Sequence, residues 1–225
     1  MTPAFPNLRY EMKFVAVGFT LAEVLARVRR HPSAFREVYP PRTVNNLYLD
    51  SPSRGDYRDH ISGVANRSKT RVRWYGQPPG LVEQPRLELK QKRGMVSGKE
   101  AYALPPLAIN GSPVRPLLEA ALDAAALPPW LRPALHRLNP ALFNRYRRQY
   151  FLSHDGKFRL TVDHALEFAG IPQHGWPTLF SLSAASVIIE LKYATELAEH
   201  AGRVTNALPF RVARFSKYVA GIEQI

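Results

Sequence analysis

The 225-residue chain contains no cysteine. That excludes disulfides and every zinc, iron–sulfur or redox centre needing thiolate ligands, and it fits a reducing compartment. No apolar run approaches the roughly 20 residues of a membrane helix, and the first residues, MTPAFPNLRYEMKF, have neither the basic opening nor the apolar stretch of a signal peptide. A cytoplasmic protein with no membrane segment is expected. There is no glycine-rich P-loop of the Gly-x4-Gly-Lys-Ser/Thr kind, so Gly98-Lys99 is not a nucleotide cradle of that type. The seven histidines form no His-x-x-x-His pair, which argues against a histidine metal site. Without an RNP-type aromatic signature or zinc-finger spacing, nucleic acid is not an expected partner. Negative charge is scarce as well: 18 Asp+Glu stand against 31 Lys+Arg, a formal net charge of +13. Such a surplus predicts an anionic partner of some kind without naming it.

What is present reads as one domain over 1–225. Hydrophobic residues make up 45% and aromatics 11%, enough for a core. Thr20 and Glu23 form a capping box ahead of Leu21, Val24, Leu25 and Val28, which share one helical face. Pro78-Pro79-Gly80 marks a turn between strands. Ser112 is placed as a helix cap with Pro113 at the first helical position, opening a helical insertion around 112–138. A further helix is expected near 194–207.

The strands carry the chemistry. Side chains alternate along a strand, so RYEMKF puts Arg9, Glu11 and Lys13 opposite Tyr10, Met12 and Phe14. KTRVRWY likewise groups Lys69, Arg71, Arg73 and Tyr75, and RLELKQK groups Arg86, Glu88, Lys90 and Lys92. In the second half FNRYRRQYF aligns Arg145 and Arg147, FRLTVD aligns Arg159, Thr161 and Asp163, and VIIELKY aligns Glu190 and Lys192. Any one charged strand face can simply look at water. Six of them, dominated by Arg and Lys, suggest a sheet closed into a barrel with helices outside, where unpaired like charges in the lumen would demand a bound polyanion. A lumen of that width excludes a duplex and admits a triphosphate or an extended polyphosphate. Carboxylates among the bases could then hold Mg2+ or Mn2+. Ser216 has no base near it in sequence and reads as a phosphate contact rather than a nucleophile.

Taken in order, Arg-Tyr-Glu-Met-Lys-Phe at 9–14, Arg-Val-Arg-Trp-Tyr-Gly at 71–76, Leu-Glu-Leu-Lys at 87–90, Ser-Gly-Lys-Glu at 97–100, Asn-Arg at 144–145, Arg-Leu-Thr-Val-Asp at 159–163, Ile-Glu-Leu-Lys at 189–192 and Phe-Ser-Lys-Tyr at 215–218 with Gly221 resemble the VTC domain. This is the polyphosphate-polymerase branch of the CYTH-like triphosphate tunnel metalloenzymes. The resemblance implies an α+β fold: an antiparallel eight-stranded β-barrel, the triphosphate tunnel, with flanking helices. It implies phosphate contacts from Lys13, Arg71, Arg73, Lys90, Lys99, Arg145, Arg159, Lys192, Arg214, Ser216 and Lys217. Of these, Arg71, Arg73, Lys90, Arg145, Arg159 and Lys217 would act in catalysis together with Glu190. Glu190 would hold the metal, Mn2+ or Mg2+, with Glu11 and Glu88 as less favoured alternatives. The implied reaction moves the γ-phosphoryl group of ATP onto polyphosphate, with inorganic triphosphate or pyrophosphate as related ligands. A tunnel-fold triphosphatase and a non-catalytic polyphosphate-binding module are the alternatives. Two positions depart from the family pattern: Phe143 replaces a tyrosine that could contact phosphate, and Arg214 replaces a lysine.

Overall fold

Phe14 and Ala16 of the first strand are fully buried beneath a helix, whereas Glu11 and Lys13 point to the other face. That division, apolar outward under helices and charged inward, recurs around the molecule. The computed structural model describes residues 9–77, 80–181 and 187–225, so Pro78 and Pro79 of the expected turn lie outside the described residues. In chain order the strands are β1 (Arg9–Ala16), β2 (Arg36–Asp50), β3 (Asn66–Tyr75), β4 (Gly80–Val82), β5 (Arg86–Arg93), β6 (Val96–Ala103), β7 (Leu107–Ile109), β8 (Asn139–Leu152), β9 (Arg159–Ala169), β10 (Phe180–Ser181), β11 (Val187–Ala194) and β12 (Arg211–Val212). The α-helices are α1 (Leu21–Arg29), α2 (Gly55–Ile61), α3 (Val114–Ala124), α4 (Leu131–His136), α5 (Ala201–Thr205) and α6 (Lys217–Ile222), with a 3-10 turn at Thr195–His200 leading into α5.

Eight strands hydrogen-bond in the antiparallel order β9-β11-β1-β6-β5-β3-β2-β8, and β8 pairs back onto β9, which closes a ring. The fold is therefore α+β with the eight strands expected. The seam between β1 and β6 is the shortest, registering Arg9 with Ser97 and Tyr10 with Val96. Near the other end of β9, Ala165 takes a positive φ of 49° where the β8 register slips between Arg145 and Arg147, a bulge that resets which residues face inward.

Two apolar cores lie outside the ring. Trp74, Val72, Leu87 and Phe143 carry α3 and α4, and Phe14, Leu160, Ile189 and Leu191 carry α1 and α5. The α1 capping box is formed as expected: Thr20 Oγ1 accepts from the Glu23 amide at 3.3 Å, and Glu23 returns a carboxylate to the Thr20 amide at 2.8 Å. At α3 the expectation is off by one. Ser112 donates its hydroxyl to Asn110 Oδ1 at 2.6 Å, so Pro113 occupies the cap and contributes no side-chain hydrogen bond. Among the described residues no helix is long and apolar enough to cross a membrane.

A third cluster sits inside. Tyr218 and Ile222 of α6 pack on Val44, Tyr48, Leu142 and Phe168, all on the inner face. The seat is latched by Asp50, which accepts the Tyr218 hydroxyl at 2.6 Å and the amides of Ser51, Asp56 and Tyr57 at 2.7–3.1 Å. Gly221 is why the helix fits, since a Cβ there would run into Phe168 Cδ1 and Leu142 Cδ2 well inside van der Waals contact. Gly221→Ala is expected to cost about 1–3 kcal/mol by overpacking, read as a lower urea midpoint with an unchanged slope; an unaltered midpoint would show that α6 does not hold this seat.

Candidate functional site

The inner wall formed by β3, β5 and β6 gathers bases around one carboxylate. Glu88 accepts from Arg71 Nε at 2.8 Å and Nη2 at 2.6 Å, from Lys99 Nζ at 2.7 Å, and has Arg73 at 3.6 Å. Arg73 also donates to Asn46 Oδ1 at 2.8 Å and to the Tyr146 hydroxyl at 3.2 Å. Asn46 in turn donates to Asn144 Oδ1 at 2.7 Å, which leaves the buried Asn144 Nδ2 without a partner.

The facing wall, from β1, β8, β9, β11 and the first turn of α6, is built around two acids. Asp163 accepts from Arg148 at 2.5 and 2.7 Å and from Lys217 at 2.6 Å. Glu190 has Lys192 at 3.2 Å, Lys217 at 3.3 Å, Arg148 at 3.4 Å and Lys13 at 4.0 Å. Glu11 joins the walls, accepting from Lys90 of β5 at 2.8 Å while Lys13 stands 3.5 Å away. Two further amines reach backbone or hydroxyl: Lys13 donates to the Phe215 carbonyl at 2.8 Å, and Lys69 donates to Ser216 Oγ at 2.5 Å.

Enclosure would raise each carboxyl's pKa, yet the neighbouring cations outweigh it. Burial opposes, but Lys192, Lys217 and Arg148 hold Glu190 well below the usual carboxylate range; Arg71 and Arg73 do the same for Glu88, and Lys90 and Lys192 for Glu11. Arg148 and Lys217 likewise hold Asp163 down against its burial, so all four acids are ionised. The lysines divide. Lys217 is raised despite its burial because Asp163 and Glu190 face it. Lys69, buried among Lys13, Lys90 and Arg71 and ion-paired with no carboxylate among the described residues, is depressed well below the usual lysine range, first by burial and then by those cations. Lys90 is lowered to about 8, first by burial and then by Lys13 and Lys192 against the pull of Glu11.

Lys13, Arg71, Arg73, Lys90, Lys99, Lys192, Glu190, Ser216 and Lys217 thus converge on one lumen, with Glu11 and Glu88 between them. The expectation that these bases stand unpaired is corrected, because Glu11, Glu88, Asp163 and Glu190 bridge most of them. Arg145 and Arg147 do not join. Arg145 faces outward and pairs with Glu167 at 2.6 Å, and Arg147 is exposed. Phe143 sets that parity: it stacks on Trp74 in the outer core at 5.6 Å and 8°, so the alternate residues Asn144, Tyr146 and Arg148 face inward. For the same reason Phe143 in place of tyrosine removes nothing from the lumen. Arg159 shares the face of Thr161 and Asp163 but is exposed at the end of its strand, and Arg214 is exposed as well. Arg148 is the buried base that strand alternation missed, although the large apolar pair Phe143 and Phe151, eight residues apart, could have revealed it.

Among the described residues no three His, Cys, Asp or Glu side chains come together to hold a metal. A bare divalent ion therefore has no protein cage here. Opposite Glu190 in the ladder, however, the buried Thr161 Oγ1 has no partner. An ionised carboxylate and an orphan hydroxyl, side by side among amines, fit a cation that arrives with phosphate oxygens and water rather than one held by protein alone.

Three solved structures share the fold at low sequence identity. A candidate adenylate cyclase from Vibrio parahaemolyticus matches with a TM-score of 0.53 at 14% identity, covering 92% of this chain and 95% of its own. The PH1819 protein of Pyrococcus horikoshii matches at 0.56 and 13%, covering 96% and 99%. A candidate adenylyl cyclase from Hippeastrum, described as having a dominant triphosphatase activity, matches at 0.53 and 15%, covering 97% and 95%. The comparison with curated proteins finds no match. The family model of the VTC domain aligns with residues 8–225, nearly the whole length, and the chain belongs to the VTC domain family.

Proposed function

We propose that this protein is a metal-dependent phosphotransferase that moves the γ-phosphoryl group of ATP onto a polyphosphate chain held in the ring. The observation that carries the reading is the extent of the lumen cations: Lys99 pairs with Glu88 and stands opposite Lys90 in the β5–β6 ladder, Lys90 donates to Glu11, and Lys192 lies within 4.0 Å of both Glu11 and Glu190, so the bases extend beyond a single anion socket. Family membership and the tunnel-fold relatives support a phosphoryl-related function in the same direction. Arg71, Arg73 and Arg148 offer guanidinium forks to phosphate oxygens, and Lys13, Lys69, Lys90, Lys99, Lys192 and Lys217 supply charge. An oxygen of the terminal acceptor phosphate attacks the γ-phosphorus of ATP, the bond to the β-bridging oxygen breaks, and ADP leaves. Positioning and charge neutralisation suffice for this step, so the protein needs no nucleophile of its own. Glu190, with Glu11 and Thr161 nearby, would hold Mn2+ or Mg2+, which when bound neutralises charge developing on the phosphate oxygens. ATP as donor fits a cytoplasmic setting. The second reading, hydrolysis of a triphosphate by water, is favoured by the triphosphatase activity described for the Hippeastrum relative.

Incubation with ATP and Mn2+ or Mg2+ is expected to build polyphosphate visible on a stained gel. Orthophosphate as the sole product would replace the transferase reading by the hydrolase, and no turnover would leave a binding module. Glu190→Gln is expected to abolish the stimulation of turnover by Mn2+ while tripolyphosphate binding persists; superimposable metal titrations of variant and wild type would take Glu190 out of the metal's reach.

Lys90 gives a pH dependence of two opposite signs. Its folded pKa of about 8 lies below that of an unfolded lysine. The unfolded chain therefore binds more protons between roughly pH 8 and 10, and ligand-free stability gains from this group as pH rises through that window. A bound polyanion favours the ammonium form, so tripolyphosphate affinity falls as pH rises through about 8. Calorimetric titrations across that range should show the fall in wild type and a flatter profile in Lys90→Arg, and parallel profiles would remove Lys90 from ligand contact.

A further inference from the structure

At one end of the ring the inner face changes character. Tyr75 follows Arg73 by two residues on β3, Tyr150 follows Arg148 by two on β8, and both continue the lumen-facing phase of their strands. Between them Arg42 of β2 lies over three rings, its Cζ 5.2 Å from the centre of Tyr39, 5.5 Å from Tyr75 and 5.8 Å from Tyr150. Tyr39 and Tyr150 meet edge to face at 5.8 Å. Large aromatics normally hide, yet Tyr39 is 55% and Tyr75 48% exposed. Among the described residues no carboxylate ion-pairs with Arg42, and its guanidinium stands among the three π faces instead. Burial pushes the Tyr150 phenol up to about 12, which keeps it a neutral hydrogen-bond donor.

We propose that the collar formed by Tyr39, Arg42, Tyr75 and Tyr150 is a nucleobase-docking site for the nucleoside triphosphate whose phosphates enter the ring. The inference rests on the triphosphate reading of the lumen and adds a subsite to it. Flat rings and a guanidinium plane recognise a stacked base without sequence-like discrimination, whereas phosphate would be drawn deeper, to the denser cations. Geometry connects the two. Two residues of strand, roughly 7 Å, separate each lumen arginine from the tyrosine beyond it, which leaves room for a ribose between phosphate and base.

The test compares ATP with inorganic tripolyphosphate, which has no base, by calorimetric titration of wild type, Tyr75→Ala, Arg42→Ala and Tyr75→Phe. Tyr75 and Arg42 are both exposed, so the variants keep the fold. Tyr75→Ala and Arg42→Ala are expected to weaken ATP about tenfold and leave tripolyphosphate unchanged, while Tyr75→Phe, which keeps the ring, binds both as wild type does. Equal effects on the two ligands, or none on either, would overturn the nucleobase site and leave the lumen reading standing. Failure of wild type to bind either ligand would overturn the lumen reading, and the subsite with it.

Discussion

Enclosing ionised groups inside a closed strand ring is costly unless charges answer one another, and this constraint organises the molecule. A carboxylate or ammonium withdrawn from water loses several kcal/mol of hydration. The ring recovers it by placing Glu88, Glu11, Glu190 and Asp163 at intervals among the bases, so that each acid serves two or more cations. These acids space the bases apart and hold their forks in position before any ligand arrives, the condition that electrostatic stabilisation of a transition state requires. Lys69 is the exception: among the described residues no carboxylate ion-pairs with it, and its ammonium donates to the Ser216 hydroxyl and lies 5.9 Å from the centre of the Tyr218 ring.

The apolar cores outside the ring decide which residues are enclosed. Trp74 with Phe143 on one flank, and Phe14 with Leu160 and Ile189 on the other, fix the outward phase of β1, β3, β8, β9 and β11. Every charged side chain of those strands takes its place as a consequence. The inner apolar cluster under α6 has a different task. It brings Ser216 and Lys217 into the lumen from the chain's last helix, and the Asp50–Tyr218 hydrogen bond ties that helix to the end of β2. Of the Phe-Ser-Lys-Tyr run, the lysine and serine therefore face the charges, while the tyrosine is a fastener.

The inward faces of β1, β3, β5, β9 and β11 were legible in the sequence because each alternates cleanly, with charge on one phase and large apolar residues on the other. β8 was not legible in that way. Both phases of FNRYRRQYF carry arginine and both carry aromatics, so counting charges chose Arg145 and Arg147, whereas packing of Phe143 and Phe151 selects Arg148. The middle of β2 gave no charge signal, since its inward residues Val44, Asn46 and Tyr48 contribute an amide relay and ring faces, with Arg42 and Asp50 only at its flanks. The pairing of bases with acids depends on cross-strand register, which no single strand encodes: Glu190 meets Lys13 because β11 and β1 align those positions.

Closure of the ring by the pairing of β8 with β9 has a kinetic meaning as well as an architectural one. A linear anion inside a closed girdle of strands can leave only end-on, by sliding past each cation in turn, and cannot peel away sideways as it could from an open groove. The longer the enclosed polymer, the more contacts must be broken and remade before it escapes, so residence time grows with chain length. On the polyphosphate reading proposed above, a strand ring of this kind would act as a processivity clamp built from a single chain.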